Sequence, residues 1–83
     1  MSKIIERKMK INEEISASYV LAYENGEYGI ECTEYDSDGN ITESSKVGEI
    51  TAELGWATEI FNLVYENGVL PCTLTDVICD LIC

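Results

Sequence analysis

The pair Asn25-Gly26 places the strongest single constraint on how this chain folds. A two-residue type I′ hairpin turn needs a positive φ angle at both positions, and Asn-Gly is a favoured pair for this turn. Residues paired across the two strands then have numbers that sum to 51. The pairs on one side are Tyr23/Tyr28, Leu21/Ile30 and Tyr19/Cys32. Because this side is apolar and the other is mixed, the sequence predicts which face of the hairpin lies in the core.

The remaining segments predict an α+β fold in which three to four strands precede two helices. The strands are expected at about 3–11, 17–25, 27–36 and 41–50, and the helices at about 52–67 and 73–82. Short turns between consecutive strands favour an antiparallel meander, with both helices packed on one sheet face. Residues 41–50 are polar on both faces, as expected of an edge strand, and Gly48 favours a bulge or a bend before the first helix. With 83 residues, the chain is predicted to form a single domain, 1–83.

The first predicted helix contains the only Trp and the only Phe of the chain. At about 100° per residue, its apolar side chains cover an arc of roughly 200°, against the roughly 100° that one core face requires. The sheet and the second helix account for part of this arc. The candidate interaction surface is therefore an edge of this arc, either near Leu54 and Tyr65 or near Trp56 and Leu63.

Capping signals predict where the two helices begin and end. Thr51 is the expected N-cap of the first helix, and Asn67-Gly68 is the expected stop. Thr73 and Asp76 have the spacing of a capping box at the start of the second helix.

The net charge of −11 limits the classes of partner. The first ten residues contain four cations and one acid, a net charge of +3, so residues 11–83 carry −14. Such a surface repels phosphate backbones and anionic lipids, which argues against direct nucleic-acid or membrane binding. Two interpretations stay open: a solvated acidic surface, or one that meets a basic partner. The chain also lacks an apolar run that could span a membrane and a signal-peptide core, so a cytoplasmic location is expected.

Catalytic and cofactor-binding patterns are missing from the sequence. The chain has no His, the side chain best suited to proton transfer near neutral pH. It also contains no nucleophile elbow, P-loop or dinucleotide-binding glycine motif. We therefore expect neither an enzyme nor a cofactor.

The four cysteines are expected to be free thiols because no secretory context is visible. Cys79 and Cys83 are one helical turn apart, but a structural zinc site commonly uses four ligands in short pairs, so no metal is predicted. These two residues lie off the apolar stripe of the last helix and are the expected reactive thiols. Cys32 is expected in the core.

The segment 36–40, Asp-Ser-Asp-Gly-Asn, matches the first five positions of an EF-hand calcium loop. The match ends there, because Ile41 replaces the required Gly and Val47 replaces the bidentate Glu. A hairpin turn explains the same residues, since Asp, Gly and Asn tolerate left-handed backbone geometry.

Three stretches resemble a known family: YGIE at 28–31, ENGVLP at 66–71 and LTDVICDL at 74–81. The family consists of short uncharacterised proteins of spore-forming, mostly anaerobic Gram-positive bacteria and is defined only as a domain of unknown function. The resemblance covers most of the chain and implies a bacterial cytoplasmic protein, without implying an activity. Cys72 and Cys79 depart from the aliphatic and polar residues expected there, so no shared cysteine chemistry is implied.

The sequence thus favours a small, acidic, non-enzymatic module that binds a protein partner or regulates one, with homodimerisation as one form of that binding. An alternative is a nucleic-acid mimic or anti-factor that occupies the basic site of another protein. A second alternative is a thiol-based redox or metal sensor.

Overall fold

The computed structural model describes residues 2–82 and shows a four-stranded antiparallel sheet with two helices packed on one face. The elements are β1 (Ser2–Lys10), β2 (Ser16–Glu24), β3 (Glu27–Tyr35), β4 (Ile41–Thr51), α1 (Leu54–Glu66) and α2 (Pro71–Ile82). The strand order β1-β2-β3-β4 is that of a meander. The predicted α+β fold and its order of elements are confirmed.

The hairpin of β2 and β3 has the turn and the register that the sequence predicts. Asn25 and Gly26 have φ angles of 53° and 86°, as a type I′ turn requires. All the paired residues have numbers that sum to 51, including the pairs Tyr19/Cys32 and Leu21/Ile30. These four side chains are completely buried, so the predicted core face is confirmed.

A bulge interrupts β4 near its end, where Gly48 predicted a bulge or a bend. Val47 lies opposite Ile30 and Thr51 lies opposite Tyr28, so three residues of β4 face only Gly29. Within the bulge, Glu49 rather than a glycine has the positive φ, 54°. A Cβ atom on Gly29 would lie 2.8 Å from the carbonyl oxygen of Val47, so the backbones approach too closely there for a side chain.

The first helix begins two residues later than predicted, and Thr51 is not its N-cap. β4 stays extended through Thr51, so the N-cap is Glu53, whose side chain makes no capping hydrogen bond. The Thr51 hydroxyl oxygen instead accepts a hydrogen bond from the backbone N–H of Glu53 at 3.1 Å.

The predicted stop of α1 at Asn67-Gly68 is confirmed. Gly68 has a φ of 60°, its N–H donates to the carbonyl of Tyr65 at 3.1 Å, and the N–H of Val69 donates to the carbonyl of Val64 at 3.2 Å. These two bonds are those of a Schellman motif, which satisfies carbonyls at the helix end.

The second helix begins at Pro71, so the predicted capping box at Thr73 and Asp76 is wrong. Thr73 already lies in the first turn, where its N–H and hydroxyl both donate to the carbonyl of Leu70, at 3.1 and 3.2 Å. Proline is favoured at the first helical position because its fixed φ fits the helix and its missing N–H is not needed there.

The core lies between the sheet and the two helices. α1 lies across β2, β3 and β4, whereas α2 lies mainly over β4. The helices bury Ala57, Ile60, Phe61, Val64, Leu74 and Ile78 against the sheet. The carbonyl oxygen of Val69, between the helices, accepts hydrogen bonds from the Tyr19 hydroxyl at 2.9 Å and from the Cys32 thiol at 3.4 Å. Two buried side chains of the sheet therefore hold the connection between the helices in place.

Neither helix in the described part of the chain is long and apolar enough to cross a membrane. With 13 and 12 residues, both fall well short of the about 20 residues that a spanning helix needs.

Candidate functional site

The four residues of the predicted interaction surface lie on two opposite edges of α1. The buried stripe of the helix, Ala57 with Ile60, Phe61 and Val64, runs between them. Leu54 is 50% exposed and Leu63 is 40% exposed, whereas Trp56 and Tyr65 are half-buried and pack against the core. The helix therefore presents two separate apolar edges rather than one patch.

The edge with Trp56 and Leu63 forms a shallow groove, which we call the α1 groove. Its lining residues are Trp56, Glu59, Asn62, Leu63 and Glu66, and its volume is about 320 Å³. Positions three, four and seven apart share one face of a helix, which explains why these residues meet. The α1 groove thus combines a partly covered indole and an exposed leucine with two carboxylates. Sequence reasoning identified the two apolar residues but not the acidic ones beside them.

The other edge faces β1 through Tyr65. Its ring packs edge-on against Tyr19, with ring centroids 5.7 Å apart, and the Arg7 guanidinium lies 5.7 Å from the centre of the Tyr65 ring. A cation over an aromatic face is attracted by the ring quadrupole. Arg7 lies between Ile5 and Met9 on the side of β1 that faces the core, and it therefore covers one side of Tyr65. Of the two residues predicted for this edge, Leu54 is the more accessible to solvent.

A second cavity, on the opposite face of the sheet, was not predicted. We call it the bulge cavity; it has a volume of about 310 Å³ and is lined by Ala22, Glu24, Asn25, Glu27, Gly29, Lys46, Gly48 and Glu49. Small residues form part of the lining because the two backbones approach each other at Gly29. The glycine at position 48 indicated the bulge, but nothing in the sequence indicated the cavity beside it.

An ion pair at this cavity offsets a repulsion that the hairpin register creates. Glu24 lies directly opposite Glu27 across the turn, and like charges so placed are unfavourable. The Lys46 ammonium lies 3.2 Å from a carboxylate oxygen of Glu24. Both side chains are nearly half exposed, so this pair is worth no more than about 1 kcal/mol.

The described cysteines divide into one buried and two exposed thiols. Cys72 and Cys79 are exposed, Cys32 is buried, and Cys83 lies outside the described residues. Burial, together with the nearby Glu34 carboxylate, raises the pKa of Cys32 to about 12. Burial also raises the pKa of Tyr19 to about 12. Within residues 2–82, no three metal-ligating side chains lie close enough together to hold an ion.

An alkylating reagent at about pH 8 should therefore modify Cys72 and Cys79 in the folded protein and leave Cys32 unmodified. The thiolate is the reactive form, and a raised pKa removes it while burial blocks access. Mass spectrometry of proteolytic peptides locates the modified residues. In denaturant, Cys32 should react as the others do; modification of native Cys32 at the rate of Cys79 would contradict the prediction.

The calcium-like segment at 36–40 is the turn between β3 and β4. A carboxylate oxygen of Asp36 accepts hydrogen bonds from the backbone N–H groups of Asp38 and Asn40, each at 2.9 Å. The N–H of Gly39 donates to the carbonyl of Asp36 at 3.1 Å, and the φ angle of Gly39 is 85°. The predicted hairpin turn is confirmed, and the side chain that would begin a calcium loop closes this turn instead.

Comparison with known proteins identifies a family that covers this fold from β1 to the end of the chain. A model described as a family of unknown function, DUF6514, matches residues 2–83. The chain belongs to this family. Neither a curated protein nor a solved structure matches the chain. The resemblance to a domain of unknown function is thus confirmed for the family, and the family description supplies no activity.

Proposed function

We propose that this DUF6514 protein is a non-enzymatic module that binds a basic, amphipathic segment of another protein in the α1 groove. The observation that carries the proposal is the position of Trp56 beside the exposed Leu63, with Glu59 and Glu66 along the same groove. Tryptophan is enriched among the residues that dominate binding energy at interfaces. A half-buried tryptophan beside an exposed leucine, with acidic neighbours, matches a partner that offers apolar side chains between lysines or arginines.

The charge of the whole chain supports the same class of partner. With a net charge of −11, the protein attracts basic partners and repels acidic ones at long range. Long-range attraction raises the association rate, whereas the apolar contact inside the groove determines how slowly the complex dissociates. A basic amphipathic helix fits both requirements, since such helices bind grooves through apolar residues spaced three and four apart.

The cellular setting is part of this proposal. Exposed free thiols such as Cys72 and Cys79 suit a reducing compartment, where disulfides are rare. We therefore place the protein in the bacterial cytoplasm, where its partner would be another cytoplasmic protein.

Trp56 provides a direct test because it is the only tryptophan and lines the α1 groove. A synthetic helical peptide of leucines and lysines, with the leucines three and four residues apart, should shift the Trp56 emission to shorter wavelength on binding. A peptide with the same lysines but with serine in place of leucine should not. Leu63→Ala should weaken binding of the first peptide about tenfold, which corresponds to about 1.4 kcal/mol.

Leu54→Ala is the matched control, because Leu54 is a similarly exposed leucine of α1 on the opposite edge. It should leave the affinity unchanged. Equal losses for the two variants, or a leucine–lysine peptide that binds without changing the Trp56 emission, would place the binding site elsewhere and overturn the proposal.

The alternative function, a nucleic-acid mimic or anti-factor, depends on the acidic surface and not on the groove. In that case the serine–lysine peptide should bind as well as the leucine–lysine peptide, and salt should abolish both interactions. The comparison of the two peptides at low and high salt thus separates the two functions in one experiment.

A further inference from the structure

The sheet has an outer face, opposite the helices, on which no helix lies among residues 2–82. The middle of this face carries short side chains from the two central strands, Ser18, Val20, Ala22 and Gly29. Ser18, Val20 and Ala22 are less than a tenth exposed, although they do not belong to the core cluster. Longer side chains of the neighbouring strands therefore stand around them. Together with Gly29, these three residues form a trough of small side chains along β2, and Glu31 and Thr33 of β3 lie beside it.

Charge divides the outer face into two halves of opposite sign. On β1, three lysines and one glutamate give a net charge of +2, and on β3 and β4, three glutamates and one lysine give −2. The first set is Lys3, Glu6, Lys8 and Lys10, and the second is Glu27, Glu31, Lys46 and Glu49. Glu24, on β2, is held by the ion pair with Lys46. With Glu24 counted beside Lys46, the acidic half carries −3 against +2 for the basic half, so the two halves are opposite in sign and similar in magnitude.

One ion pair lies within the basic half. The Lys3 ammonium is 3.3 Å from a carboxylate oxygen of Glu6, and both side chains stay well exposed to solvent. An exposed pair of this kind is worth no more than about 1 kcal/mol, so either partner can turn to a charge on a second molecule at little cost.

The strand register places opposite charges at the two ends of the same rows across the sheet. One row, Glu6–Val20–Glu31–Lys46, follows the strand pairing throughout. The other, Lys3–Ala22–Gly29, meets β4 at its bulge, where Glu49 lines the bulge cavity together with Ala22 and Gly29. Rotating a second sheet by half a turn about an axis parallel to the strands reverses each row. Lys3 of one copy then lies over Glu49 of the other, and Glu6 of one copy lies over Lys46 of the other.

We propose that the outer face binds a second copy of this chain, face to face, about a twofold axis parallel to the strands. The same surface is used by both copies, so each charge contact occurs twice, as in any isologous interface. The small residues of the trough lie beside the axis, where they let the two sheets approach to about 10 Å, the usual separation of stacked sheets. Glu31 also lies beside the axis, directly opposite Lys46 of the neighbouring strand. An axis across the strands would instead place the basic β1 of one copy over the basic β1 of the other.

The area of the outer face is sufficient for a weak dimer. Four strands spaced about 4.8 Å apart and nine residues long, at about 3.3 Å per residue, cover roughly 570 Å² on each copy. The total of roughly 1,100 Å² is close to the lower limit for a specific interface. Like net charges of −11 oppose association, but at about 0.15 M salt charges more than about 8 Å apart are largely screened. The dimer is therefore expected to depend on concentration and on the contacts at the ends of the rows.

Sedimentation velocity of the full chain, from micromolar to millimolar concentration in about 0.15 M salt, tests the proposal. The wild-type protein should pass from monomer to dimer. Lys3→Glu places a carboxylate over Glu49 of the other copy, and Glu49→Lys places an ammonium over Lys3 of the other copy. A homodimer of either variant then has two contacts between like charges, one at each end of the interface. Its dissociation constant should rise at least about tenfold, because like charges facing each other across an interface are costly.

Mixing the two variants provides the decisive measurement. In a mixed pair, the carboxylate introduced at position 3 faces the ammonium introduced at position 49, and the unchanged Glu49 faces the unchanged Lys3. Both contacts at the row ends therefore attract again, and the mixture should form a heterodimer with an affinity close to that of the wild type. Asp80→Lys on α2 makes the same change of net charge as Glu49→Lys on the helix side of the molecule, and it should leave the dimer intact.

A wild-type protein that stays monomeric at millimolar concentration would overturn the proposal, as would a mixture that stays monomeric. Dimers that resist both substitutions would place self-association on a different surface and would overturn it equally. Circular dichroism of each variant confirms that the fold is retained. The result is independent of the peptide experiment, because the α1 groove lies on the helix side of the sheet.

Discussion

Replacing Phe61 with alanine should lower the free energy of unfolding by about 3–5 kcal/mol, the usual cost of truncating a buried aromatic side chain. Phe61 is completely buried and is among the largest fully buried side chains of the described structure. It lies between the sheet and α1, so its loss leaves a cavity where the two layers meet. Because a domain of this size is stable by only about 5–15 kcal/mol, the variant would keep little of that margin. Urea denaturation followed by far-ultraviolet circular dichroism measures the change.

Two further variants keep this prediction measurable even if Phe61→Ala does not fold. Phe61→Leu should cost less than half as much, because it removes fewer buried atoms. Leu63→Ala, two residues along the same helix, should cost less than about 1 kcal/mol, because Leu63 is 40% exposed. A loss at Leu63 equal to that at Phe61 would show that the α1 groove is part of the core and not a surface.

The contrast between these two residues shows how far helical periodicity predicts burial. Phe61 and Leu63 both lie on the apolar arc of about 200°, but Leu63 lies at its edge and Phe61 lies inside it. Periodicity alone did not show which edge would be covered. Arg7 covers the Tyr65 edge, and that contact depends on a residue more than fifty positions away in the chain.

The hairpin was predictable in full because a single local signal determines it. Asn25-Gly26 specifies the turn, the turn specifies the register, and the alternation of side chains confirms which face is buried. Each step uses residues close together in the sequence. The family match covers residues 2–83 but says nothing about register.

The helix starts were less predictable because tertiary structure competes with local capping. Thr51 has the side chain of a good N-cap, but it is paired with Tyr28 in the sheet and stays extended. Thr73 has the spacing of a capping box, but Pro71 already starts the helix. In each case a residue outside the capping motif determines the boundary.

The candidate sites were only partly visible in the sequence for a related reason. The apolar edges of α1 follow from the spacing along one helix, so Trp56 and Leu63 could be named. The outer face combines residues from four strands, and its charge rows exist only because of the register between β3 and β4. That register includes a two-residue bulge at Glu49, whose size no local signal predicts.

The two proposed surfaces lie on opposite sides of the sheet, so a dimer would carry two outward α1 grooves. Two grooves on one particle bind a partner with two basic segments far more tightly than one groove does, provided that the connection between the segments spans the distance. Because dimerisation depends on concentration, partner binding would rise with the cellular level of the protein. Self-association and partner binding would then be parts of one function.

Gly29→Ala should lower the free energy of unfolding by about 1–3 kcal/mol, the usual cost of forcing an extra methyl group into a packed site. The added Cβ would lie 2.8 Å from the carbonyl oxygen of Val47 and 3.0 Å from the Cα of Gly48. Both neighbours are backbone atoms of β4, so neither can rotate away. The bulge must move as a unit, and the amide NMR shifts of residues 46–51 should change together with the loss of stability.

Gly48→Ala is the matched control, because Gly48 lines the same cavity and lies in the same bulge. A Cβ on Gly48 would meet no atom within 4 Å, and Gly48 does not have the positive φ of its neighbour Glu49. Its substitution should change stability by less than about 0.5 kcal/mol, as at other surface positions. Equal losses of stability for the two variants would mean that the close approach of the strands at Gly29 does not shape the bulge. The positive φ of Glu49 would then have another cause.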